Sequence, residues 1–152
     1  MRKAMLMLAV FGLAGMLWAA DPHVGTWKLN VAMSKINSSP PPKSEIATFT
    51  AQENGLKLVV DIVESDGKAV NVTYAAKFDG KDYSVSGITD ADTIVIKRVD
   101  ANTFSELFKK AGKEVGSASL VVSKDGKTLT RISKEKNAKG QEVTNTAVYD
   151  KQ

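Results

Sequence analysis

From residue 54 onward the chain is cut at short intervals by dipeptides that reverse its direction: Asn54-Gly55, Asp66-Gly67, Asp79-Gly80 and Asp125-Gly126. Asn-Gly and Asp-Gly suit two-residue hairpins because both central positions tolerate positive φ. Ala111-Gly112 and Lys139-Gly140 are weaker relatives, and Asp90-Ala91 and Asp100-Ala101-Asn102 fill the remaining places. Markers roughly every 10–14 residues leave room only for short strands joined by tight turns, the pattern of an all-β barrel or sandwich.

The residues between the markers alternate. In 55–63, Leu56, Leu58, Val60 and Ile62 share one face and Lys57 and Asp61 the other. In 69–78, Val70, Val72, Tyr74, Ala76 and Phe78 oppose Asn71, Thr73 and Lys77. In 141–151 the pattern is softer, with Val143, Asn145, Ala147 and Tyr149 together. Period two with one apolar face marks a half-buried antiparallel strand. No segment after the N-terminal apolar run has a helical period; the best candidate, 30–44, runs into Pro40, Pro41 and Pro42.

Ten strands are predicted, at roughly 24–30, 45–52, 55–63, 69–78, 82–86, 92–99, 103–110, 113–123, 127–136 and 141–150. Every connection but the first is short, so sequential neighbours pair. A meander of this length has two bare edges unless its first and last strands meet, and closure removes both. The expectation is one up-and-down antiparallel β-barrel of about 8–10 strands. A closed barrel needs a plug where its side chains converge. "GTWKLN", residues 25–30, fits that place: Gly25 lets the first strand bend and Trp27 fills the base, with Trp27 and Leu29 inward and Thr26 and Lys28 outward. On this reading Trp27 is structural rather than ligand-contacting.

The N-terminus has a different character. Arg2 and Lys3 precede the uncharged, mostly apolar run Ala4–Trp18, and Ala19 and Ala20 come before the first acid, Asp21. That is the layout of a secretory signal peptide, too short to span a bilayer comfortably. Residues 1–20 are therefore expected to be a leader, and 21–152 a single domain exported to the periplasm or beyond the cell. Removing the leader lowers the net charge of +4 by two. The remaining lysines are scattered among acids, which makes a solvated surface and not a nucleic-acid footprint. A membrane-spanning barrel is not expected either, because aromatic residues are only 7% and nearly all the loops are short. With no cysteine there are no disulfides, no thiol nucleophile and no thiolate metal site.

"GTWKLN" resembles the first-strand Gly-x-Trp signature of the calycins, the lipocalins and intracellular fatty-acid-binding proteins, and "AVYDKQ" is similar to the last strand of the latter. The chain after the leader also looks like small secreted lipocalin-like proteins of bacteria, with similar "KFDGKDY" and "SKDGKT" hairpins. The resemblance implies a barrel holding one small hydrophobic ligand. It also implies that a late-strand arginine, here Arg131, covers Trp27 by stacking. Two features depart from the fatty-acid-binding pattern. Where those proteins carry a two-helix lid, residues 31–44 offer a proline-rich loop. Their carboxylate-clamping arginine falls on Ala147, leaving only Tyr149 of that motif.

Catalytic groups are scarce. The single histidine, His23, sits near the expected mature N-terminus and reads as a solvated terminal residue. No His-rich metal site and no glycine-rich phosphate loop is present. No catalytic residue, metal or cofactor is assigned. More informative are the residues that interrupt apolar faces. Ile94, Ile96 and Arg98 share a face, as do Phe104, Glu106 and Phe108, and a hairpin at 100–102 sets Arg98 beside Phe104 and Glu106 beside Ile96. If that face points inward, Arg98 and Glu106 form a buried pair; in a shifted register both are solvated. The leading expectation is a non-enzymatic binding protein whose ligand meets Tyr74, Phe78, Tyr83, Arg98, Phe104, Glu106, Phe108 and Tyr149, with Gly25, Trp27 and Arg131 as structural signature. The alternative is an interaction or inhibitor module with a packed barrel core that binds a protein partner through its loops.

Overall fold

The computed structural model describes residues 20–152, so the expected leader lies outside the described residues except for Ala20. The ten strands are β1 (Gly25–Leu29), β2 (Ser44–Gln52), β3 (Gly55–Val63), β4 (Ala69–Lys77), β5 (Tyr83–Ser86), β6 (Thr93–Asp100), β7 (Thr103–Lys110), β8 (Lys113–Val122), β9 (Thr128–Lys136) and β10 (Glu142–Lys151). Each predicted strand lies where the turn markers put it. Consecutive strands pair antiparallel, and β1 also pairs with β10, so the sheet closes into an up-and-down barrel. Closure gives every long strand two neighbours and leaves no edge open to another chain.

The pleat sorts the side chains as the alternation predicts. Leu56, Leu58 and Val60 of β3 and Tyr74 and Ala76 of β4 are buried, while Lys57, Asp61 and Asn71 are exposed. In the β6–β7 hairpin Arg98 stands opposite Phe104 and Ile96 opposite Glu106, the register in which both faces point inward. The wall is thinnest at β5, which shares only Thr73↔Ser86 and Tyr74↔Val85 with β4. Gly87 follows that short strand with φ +85°, and a Cβ there would sit 1.9 Å from the Asn71 carbonyl oxygen. Only glycine fits so close to β4 in that conformation.

β1 enters through Gly25, whose φ of +134° is the sharp bend expected there. Trp27 is fully buried and Leu29 nearly so, with Lys28 exposed. The first connection contains a single 3-10 turn, Val31–Met33, capped by Asn30, whose side chain accepts from the Met33 amide. Beyond it the chain runs extended, and Lys35 bridges to Thr146 of β10. No helical lid forms there. Among the described residues no helix is long and apolar enough to cross a membrane.

Candidate functional site

The lumen divides into a packed base and an open upper half. The base is filled around Trp27, whose indole N–H donates to the His23 carbonyl at 2.8 Å. His23 is fully buried. Its Nδ1 lies 2.9 Å from Asp21 Oδ1, its Nε2 lies 3.2 Å from the Leu120 carbonyl, and its ring meets Phe104 edge-on at 4.7 Å. The Arg98 guanidinium donates to Asp21 and lies 4.1 Å above the Phe78 ring. Burial disfavours the Asp21 carboxylate, but the hydrogen bonds from His23 and the charge of Arg98 outweigh it and hold the pKa at about 2.

This base corrects several sequence expectations. His23 is an inward plug rather than a solvated terminal residue, because residues 21–24 turn into the barrel. Arg98 faces inward but does not reach Glu106; its ion-pair partner is Asp21. Two residues along a strand are separated by almost 7 Å, and Arg98 stands level with Phe104 near the base, one full pleat below Glu106. Phe104 and Phe78 pack against each other at 5.8 Å in the base and do not line the cavity above. Tyr83 packs half-buried against the core and does not line the cavity; its hydroxyl donates to Asp79 at 2.7 Å. Arg131 does not cover Trp27; the Lys151 ammonium does, 4.7 Å from the ring centroid. Lys151 is the direct cross-strand partner of Trp27, whereas Arg131 stands opposite Ala147.

Above the base lies a cavity of about 510 Å³. Its floor is apolar, with Phe49, Leu58, Leu120 and Leu129, and Val60 and Val72 continue the apolar wall above Leu58. Tyr74, Glu106, Phe108 and Tyr149 line it, as do the Ile36–Pro42 loop and Arg131. So Tyr74, Glu106, Phe108 and Tyr149 face the cavity, while Phe78, Tyr83, Arg98 and Phe104 do not.

The polar groups form three hydrogen-bonded clusters around this space. Glu106 is 2% exposed; it accepts from the Tyr74 hydroxyl at 2.7 Å and from Arg131 Nε at 3.3 Å. Tyr149 donates to Glu45 at 2.6 Å. Asn145 donates to Glu135 at 2.6 Å and to the Ser38 hydroxyl at 3.0 Å, and its carbonyl oxygen accepts from the amides of Asn37 and Ser38. The Asn145 side chain thus helps fasten the loop over the cavity, beside the Asn37 side chain, which donates to the Thr144 carbonyl at 2.6 Å. Burial, then Glu106, pushes the Tyr74 phenol well above its usual range, and burial, then Glu45, does the same to Tyr149. Burial opposes the Arg131 charge, but Glu106, Tyr149, Glu45 and Glu135 together raise its pKa. The Ser133 hydroxyl lines the cavity, is 2% exposed and has no hydrogen-bond partner among the described residues. No group of three or more His, Cys, Asp or Glu side chains among the described residues is placed to hold a metal ion.

The sequence reading missed Glu45, Ser133, Glu135 and Asn145. A signal was present for the β9 pair: Leu129, Arg131, Ser133 and Glu135 share one face of "TLTRISKEK". That face reads as the solvated one until Leu129 is known to be buried.

No family model matches the chain, and no curated protein sequence does. Among solved structures it is similar to the crystal structure of the zebrafish ileal bile acid-binding protein complexed with cholic acid. The TM-score is 0.52 at 9% identity, over 86% of this chain and 99% of that one. At that identity the likeness is one of fold. The closed ten-stranded meander and this likeness show a barrel with a calycin-like, lipocalin-like fold.

Proposed function

We propose that this protein binds a small hydrophobic or amphipathic molecule in the upper lumen and catalyses no reaction on it. The observation that carries the reading is the cavity of about 510 Å³, within the size range of small-molecule sites, with an apolar floor and a few fixed polar groups. A core whose only task is structural packs its interior to crystal-like density. The similar structure is that of a bile acid-binding protein solved with cholic acid, which supports a small amphipathic ligand. Residues 1–20 have the pattern of an export leader, and the proposal places the working protein outside the cytoplasm; the mass of the protein recovered from a periplasmic or culture fraction tests that directly.

Titration with the neutral dye Nile red tests the lumen. Saturable one-to-one binding with enhanced emission is expected, and Val60→Trp, which projects an indole from the wall into the cavity, is expected to abolish it. Binding that survives Val60→Trp in a folded variant places the dye elsewhere and overturns the lumen as the site.

A further inference from the structure

The cavity's charge runs opposite to what an anionic ligand needs. Among its polar groups one guanidinium, Arg131, faces three carboxylates, Glu45, Glu106 and Glu135. Glu106 takes Arg131 for itself and is closed off by Tyr74. Glu45 and Glu135 each accept one neutral hydrogen bond, from Tyr149 and Asn145, and form no ion pair among the described residues. Glu64 and Asp66 add further acid at the rim, where the Lys43 ammonium also stands, 3.6 Å from the place of a Gly67 Cβ. Resting on the reading of the lumen as a binding site, we infer that its ligand is a cationic amphiphile, an apolar body bearing a protonated amine held between Glu45 and Glu135.

Ser133 supports this independently. Its hydroxyl is buried, lacks a partner and lies on the same face of β9 as Glu135, two residues away. A buried polar group left unpaired is costly. A hydroxyl accepts as well as donates, and an ammonium offers three donors, so an ammonium on the acidic side of the cavity has a donor for Ser133 as well as for a carboxylate. The carboxylates are not clustered as metal ligands, which suits a cation delivered on a larger molecule. The whole chain carries a net charge of +4, so general electrostatic attraction does not favour a cation. Any cation preference is therefore local to the lumen.

Three C12 probes of one shape, below their micellar concentrations at pH 7, test the inference on the intact protein by Nile red displacement: dodecylamine, dodecanol and laurate. An alkylamine is protonated at this pH. Dodecylammonium is expected to bind about tenfold more tightly than dodecanol, the factor that one charged hydrogen bond supplies, with laurate weakest. Glu135→Gln and Glu45→Gln are expected to erase the preference for the amine over dodecanol. Glu114→Gln, an exposed charge removed outside the lumen, is expected to alter neither. Laurate binding most tightly overturns the inference and makes Arg131 the anchor. Equal binding of all three, or an amine preference that survives both glutamine substitutions, overturns it while leaving the lumen as the site. Failure of all three and of Nile red removes the lumen reading and the inference together. The wild-type rank order decides the matter even if a glutamine variant does not fold.

Discussion

At the base of the barrel Asp21, His23 and Arg98 meet within a shell of Phe78, Phe104 and Trp27, and the Arg98 charge has its opposite partner, Asp21, at hydrogen-bond distance. At the mouth Glu45 and Glu135 face a cavity with only neutral donors against them. The same pleat and the same barrel build both ends. What separates them is what fills the centre. At the base, residues 21–24 fold in and aromatic rings occupy the axis, so unpaired charge is excluded by its desolvation cost. At the mouth the axis is empty and roofed only by a loop, so carboxylates keep access to whatever enters. A barrel of this size can use one end as its core and the other as its site.

The largest expected effect falls on the base. Phe104 is fully buried and touches His23, Phe49 and Phe78. Phe104→Ala is expected to cost about 3–5 kcal/mol of unfolding free energy, the range for truncating a core aromatic. Urea unfolding followed by Trp27 fluorescence measures it. A loss below about 1 kcal/mol, within ordinary surface-substitution behaviour, would show that the base is not the structural half.

Next comes the ion pair at the boundary of the two halves. Glu106→Ala leaves Arg131 facing the lumen without its partner and is expected to cost about 2–4 kcal/mol, somewhat less than a fully desolvated pair because Arg131 borders the cavity. Adding Arg131→Met is expected to recover most of the loss; adding Arg98→Met is expected to deepen it, since Arg98 belongs to Asp21. Recovery by Arg98→Met instead would break the division into two charge clusters.

The base also has an acid limit. The Asp21 pKa of about 2 lies below its unfolded value of 3.8. The folded state therefore binds fewer protons than the unfolded one across this window. The stabilisation is complete above about pH 4 and is lost as pH falls toward 2. The full shift corresponds to roughly 2.4 kcal/mol; partial exposure reduces this to about 1–2 kcal/mol. Asp21→Asn is expected to flatten stability against pH between 4 and 2, as read by thermal unfolding at a series of pH values. An unchanged slope would detach Asp21 from the plug.

The smallest effect is at the roof. Asn145→Ala removes the acceptor of the Asn37 and Ser38 amides and is expected to cost only about 1 kcal/mol. It is expected to speed hydrogen exchange at those two amides selectively and to raise the off-rate of a lumen probe, with base amides unaffected. Accelerated exchange in β1 as well would mean that roof and base are one cooperative unit.

The turn dipeptides and the period-two faces were enough to place all ten strands and the inward faces of β3 and β4, and left the face of the β6–β7 hairpin open between the lumen and solvent. Hairpin register is local: the two residues at a reversal and the alternation on either side of it determine which residues stand opposite, as they did for Arg98 with Phe104 and Ile96 with Glu106. Partner choice inside the lumen is not local. Arg98 pairs with Asp21 across 77 positions and Glu106 with Arg131 across 25, contacts that exist only because the sheet closes and different strands present their faces to one axis. The plug at His23 likewise depends on residues 21–24 turning inward, which no periodicity announces. The acidic side of the cavity escaped notice for the same reason: Glu45, Ser133 and Glu135 look like surface residues on their own strands, and only closure of the barrel turns their faces toward a shared cavity. Sequence pattern decided the buried side of strands with a clean apolar alternation, such as β3 and β4; tertiary closure decided the rest and what each buried side chain meets, because the barrel's axis brings together residues that the chain holds far apart.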